Sequence, residues 1–176
     1  MYEANPHVRQ DNMVRLVRHY VINHDNPDSA LEKLLQSPGF STFFRSINGE
    51  RQQKYFNEHL MRYINTLRID CPFEITTTNR FTVHKLEASV TARQNIRQGQ
   101  KIKYLRGIQV DLTPGEELEL KRMKRDFSVV ISARTGKPSI FLGPARFCNH
   151  DCEANANWDS CSDNAMEVVA DRKSVV

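Results

Sequence analysis

From Asn12 to about Ile69 apolar residues recur three or four positions apart, the spacing that gathers side chains onto one face of an α-helix. Turn-forming clusters interrupt the run at Asn26-Pro27-Asp28, Ser37-Pro38-Gly39 and Asn48-Gly49, so the segment reads as four helices. The last is the most regular: Tyr55, Phe56, Leu60, Tyr63, Ile64 and Leu67 step by three or four and are expected to line a single face. Asp28 or Ser29 is placed to cap the second helix, and Pro38 or Ser41 to open another.

Beyond Cys71-Pro72 the pattern changes to short β-branched or alternating runs separated by Gly, Pro and Asn. These predict strands over Phe73 to Thr78, Glu87 to Ala92, Lys101 to Val110, Phe127 to Ser132, Ser139 to Leu142 and Met166 to Ala170. One short helix fits Pro114 to Met123. Thr113 and Glu116 stand at capping-box spacing there, and Pro114 takes the first position, where its missing N–H costs nothing. The expected architecture is α+β, with a helical subdomain over 1–72 and a β-rich domain of small sheets over 73–176.

Composition adds exclusions. With 39% hydrophobic and 26% charged residues the sequence is that of an ordinary globular domain. It has no apolar run near the about 20 residues that a membrane helix needs, so no membrane partner is expected. The first residues, MYEANPHVRQ, lack the apolar core of a secretory signal. The protein is therefore expected inside the cell, with its four cysteines as thiols or metal ligands. The net charge of +4 is unevenly spread. Lys85 to Arg106 carries six basic residues against one acid, whereas Phe147 to Asp171 carries six acids and no Lys or Arg. The acidic stretch is suited to attracting a basic tail; both runs also read as solvated faces.

The densest chemistry lies in Gly143 to Asn155, GPARFCNHDCEAN. Cys148, His150, Cys152 and the later Cys161 are all competent zinc ligands, and a tetrahedral site takes four. Their spacing is poor for it, because structural knuckles generally use a two-residue gap to turn the chain around the ion. His19, His24 and His59 lie where nothing has catalytic spacing and read as surface or core-edge histidines.

RFCNHDCEAN resembles the R-F-x-N-H-x-C-x-P-N signature of SET-domain lysine methyltransferases. Upstream, KYLRGIQV resembles the family's E-Y-x-G strand, and NRFTVHKLEASVTARQNIRQGQKI the segment that opens the domain. RDFSVVISAR, SIFLGPARF and RYINTLRIDCPFEITTTNRF are similar to the enzymes that methylate lysine 20 of histone H4, particularly fungal members. The resemblance covers about Asn12 to Asp171.

It implies S-adenosyl-L-methionine as cofactor, held by Asn149 and His150 and by backbone contacts from Lys85, Leu86, Glu87 and Ala88. In place of the glycines usual in that turn stand Glu87, Ala88 and Ser89. Tyr104, Phe127 and Ser128 are implied to line the channel for the substrate lysine as the catalytic group. Cys152 matches a cysteine that binds zinc in members with a cysteine-rich C-terminal extension, so zinc is expected only with such an extension. Ala154 replaces the signature proline. In the family, the strand after the signature leads to a G-E-E segment bearing a catalytic tyrosine and closing a knot-like core. No counterpart precedes Val176, so the chain is expected to be C-terminally incomplete. The implied partners are the histone H4 tail and the nucleosome, in the nucleus and on the chromosome, with no sequence-specific nucleic-acid binding. The alternative implied is a non-catalytic fragment that binds histone tails or chromatin.

Overall fold

The structure, a computed structural model, describes residues 10–79, 86–124, 126, 128–160 and 165–171. It divides into two compact units, the first ending at Cys71 and the second beginning at Pro72.

The first unit is helical: α1 (Gln10–Val17), a π-helical turn (Arg18–Asn23), α2 (Pro27–Gln36), α3 (Phe40–Ser46) and α4 (Glu50–Asn65). Its core is Val21, Ala30, Leu34 and Ile64, with Leu16, Leu31 and Met61 half-buried around them. The cap of α2 differs from expectation. Asn26 holds it, its Oδ1 accepting from Ser29 N at 3.0 Å. Pro27 is already the first helical residue, so Asp28 and Ser29 fall inside the helix. Likewise α3 opens at Phe40, after Gly39 at φ 89°, and not at Pro38 or Ser41. The expected single face is narrower than predicted, because Tyr55 on α4 is 52% exposed and Leu67, past the helix end, is 49% exposed. Tyr55 instead accepts from Arg51 Nε at 2.9 Å.

The second unit is β-rich. Strands β1 (Phe73–Thr78) and β2 (Glu87–Ala92) pair antiparallel, from Phe73 opposite Ala92 to Thr78 opposite Glu87. A five-stranded antiparallel sheet has the order β4-β5-β3-β7-β6, built from β3 (Lys101–Asp111), β4 (Val129–Ile131), β5 (Pro138–Leu142), β6 (Ala156–Ser160) and β7 (Ala165–Ala170). Helix α5 (Pro114–Arg122) leaves β3 through the expected capping box. Glu116 N donates to Thr113 Oγ1 at 3.3 Å, and Thr113 N donates to Glu116 Oε2 at 2.8 Å. The fold class is α+β, as the sequence pattern predicts. Strand β6 lies outside that pattern, and β4 is shorter than its predicted run.

Buried side chains here include Phe73, Leu105, Phe141, Ala145 and Val168. Two glycines show how closely β3 is approached. A Cβ on Gly107 would drive into the ring of Phe141 and reach within 2.8 Å of the Leu142 carbonyl. A Cβ on Gly143, at φ 99°, would sit 2.8 Å from the Arg106 carbonyl. The turn that opens the GPARF segment is thereby laid against the backbone of β3.

Candidate functional site

Gly143 turns the chain into a short 3-10 helix, Pro144–Phe147, whose Pro144 and Ala145 are buried. The chain then runs in open coil from Cys148 through Asn149 and His150 to Asp151. There Glu153 N donates to Asp151 Oδ1 at 3.0 Å and curls the segment back.

The Asn149 side chain leaves this coil and donates through Nδ2 to the Ala88 carbonyl at 3.2 Å. That single bond joins the signature to the start of β2, across 61 positions of sequence. It gathers Asn149, Glu87 and Ala88, with Leu86 and His150 as their chain neighbours. Leu86 is 71% exposed, and Asn149 and His150 are also exposed. Lys85 lies outside the described residues.

A second grouping forms on the five-stranded sheet. Ser128 is buried, and its Oγ accepts from Arg146 Nη2 at 3.1 Å, so the signature arginine fixes the serine. Both line a cavity of about 530 Å³, together with Cys148, Phe141, Trp158 and Met166. Phe141 and Trp158 meet edge to face, their centroids 4.8 Å apart. Burial pushes the Cys148 thiol up to about 12, which keeps it protonated and a poor metal ligand at neutral pH. Phe127, expected beside Ser128, lies outside the described residues.

Tyr104 sits in β3, half-buried, with its backbone at φ 67°. Positive φ is rare for a bulky side chain and is commonest where a site demands it. Lys103 Nζ lies 4.7 Å from the centre of the Tyr104 ring.

Among the described residues the candidate zinc ligands are not gathered into one site. Cys148 lines the cavity, whereas Cys152 is exposed with its Sγ 3.6 Å from His150 Nε2, and neither of these two lines it. Cys161 lies outside the described residues. Among the described residues no three His, Cys, Asp or Glu side chains are grouped to hold a metal ion.

No family model matches the chain. Curated relatives do. The histone-lysine N-methyltransferase SET9 of Phaeosphaeria nodorum is 42% identical over 169 residues, which are 96% of this chain and 26% of that protein. The set9 enzyme of Neurospora crassa is 40% identical over 171 residues, 97% of this chain and 22% of its own length. That of Aspergillus oryzae is 43% identical over 165 residues, 94% of this chain and 26% of its own length. Over nearly its whole length the chain is similar to the fungal Set9 histone-lysine methyltransferases. It spans about a quarter of the length of the Set9 relatives it matches.

Three residues to which the sequence assigns no role bear on this candidate site. Arg146 belongs to the signature, and its work here is to hold Ser128. Trp158 lies on β6, ANWDS, a short run with only two apolar positions and, Ala156 apart, exposed. Glu167 is buried on β7 and takes Lys101 Nζ at 2.7 Å and Arg106 Nη2 at 2.6 Å. Lys101 also lies 3.6 Å from Asp159. Part of the acidic stretch is therefore matched by the basic stretch of the same chain.

Proposed function

We propose that this chain contributes the substrate- and cofactor-binding part of a histone-lysine N-methyltransferase that modifies lysine 20 of histone H4. The observation that carries the reading is the likeness to Set9 enzymes over nearly the whole chain. The Asn149–Ala88 bond supports it, because it brings together two segments expected to hold one cofactor.

The residues fit S-adenosyl-L-methionine. An amide, an imidazole and strand-edge backbone groups offer donors and acceptors to its amino-acid end and its adenine edge, and exposed Leu86 offers an apolar face to the ring. When bound, the cofactor supplies an electrophilic methyl group for direct transfer to an amine. The protein's work is then positioning. Asn149 and His150 hold and orient. Tyr104 and Ser128 are assigned to the substrate lysine in this reading, and Phe127 with them by the family resemblance. Keeping the substrate lysine neutral at pH 7 costs about 4.6 kcal/mol for an ordinary amine, and a dry channel lowers that cost. Zinc has no step in this scheme; Cys152 is reserved for a site that further cysteines would have to complete.

Incubating the protein with S-adenosylmethionine carrying a radiolabelled methyl group and with nucleosomes tests the reading. Labelling is expected on histone H4, and is expected to vanish when its lysine 20 is replaced by arginine. Binding of the tail without any labelling sinks the catalytic reading and leaves a chromatin-binding module.

A further inference from the structure

Strand β3 is irregular where it meets β7. Lys101 stands opposite Val169 and Arg106 opposite Glu167, so the long stretch from 101 to 106 lies against the short one from 167 to 169. The surplus is a bulge, and Tyr104 with its positive φ lies inside it, between buried Ile102 and Leu105. In a regular strand, side chains alternate faces, so Lys101 and Arg106, an odd number of positions apart, would project to opposite sides of the sheet. Here both reach one carboxylate. Glu167 Oε2 takes Lys101 Nζ and Oε1 takes Arg106 Nη2. Each oxygen is used once, and each cation anchors one shoulder of the bulge.

We propose that Glu167 is a positioning residue for Tyr104: by clamping Lys101 and Arg106 to one buried carboxylate, it fixes the offset of β3 against β7 and the backbone turn that presents the phenol. The hydrogen bond from Lys101 and the nearby Arg106 charge also hold the Glu167 carboxyl below its ordinary value, so the clamp stays charged at neutral pH. The functional weight of the clamp rests on the reading of Tyr104 as a channel residue; its mechanical part does not.

The test uses the whole chain with 3-fluorotyrosine in place of tyrosine, followed by fluorine NMR, with the Tyr104 line assigned by its loss in Tyr104→Phe. Glu167→Gln keeps the shape and removes the charge. It is expected to shift or broaden the Tyr104 line while the other tyrosine lines stay. Arg106→Gln cuts one half of the clamp from its exposed side and is expected to move the same line, and Arg106→Lys to restore it. Glu117→Gln, which breaks an ion pair with Lys121 on α5, is the control and should leave the line in place. A Tyr104 line that stays put in folded Glu167→Gln overturns the proposal, even if the melting temperature falls. If Glu167→Gln fails to fold, an unmoved line in Arg106→Gln overturns it equally. The line needs no substrate, so its outcome is separable from that of the nucleosome labelling.

Discussion

Gly107 and Cys148 show how much depends on single side chains in the β-rich unit. Gly107 lies under the Phe141 ring, so Gly107→Ala is expected to destabilise the chain by about 1–3 kcal/mol, as overfilled sites do. Urea unfolding followed by circular dichroism measures it, and an unchanged midpoint would show that the ring yields freely. Cys148 carries a pH signature. Its thiol is raised to about 12 in the folded chain, above the ordinary value near 9.0, so the folded state keeps a proton that the unfolded state releases. That contribution is fully present below the unfolded value and is lost as pH rises toward the folded one. Between pH 9 and 11 stability is expected to fall by up to about 1.4 kcal/mol per pH unit from this group, and Cys148→Ala to flatten that slope. Equal slopes in the two proteins would count against it.

Helix α5 has no buried residue, and Leu118 on it is 69% exposed. Its order therefore rests on the Thr113–Glu116 capping box and on the pairs Lys121–Glu117 and Arg122–Glu119. Thr113→Ala is expected to weaken the helix by the ~1 kcal/mol typical of a lost cap. Amide exchange should quicken in α5 and stay unchanged in β3 and β5. This helix was legible in the sequence because all its signals are local. The same holds for β1 and β2, whose bounds follow their β-branched runs. Strand β6 was not legible, since at the sheet's edge its five residues carry only two apolar positions, Ala156 and an exposed Trp158, and no β-branched residue. The cap of α2 was hidden for a local reason too: Pro27 claims the first helical position and passes the cap to Asn26. The site was legible as residue types but not as contacts. Nothing in the spacing of Asn149 and Ala88, or of Glu167 and Lys101, says that they meet. The second depends on the register of β3 against β7, which the bulge shifts.

At the scale of the whole molecule, the unit ending at Cys71 has a core of its own in Val21, Ala30, Leu34 and Ile64. A chain cut after Cys71 is accordingly expected to keep helical circular dichroism and melt cooperatively. Leu34→Ala should cost it about 2–5 kcal/mol. A fragment with a coil spectrum would show that this core does not suffice.

The chain has one tryptophan, and it stands 46% exposed, edge-on to Phe141, in the wall of the cavity. Indole emission responds to the polarity and mobility of what surrounds it. The protein therefore carries its own optical gauge at Trp158. A molecule that settles in the cavity should change the colour and intensity of that light, whereas one held at Leu86, Ala88 and Asn149 should leave it as it was.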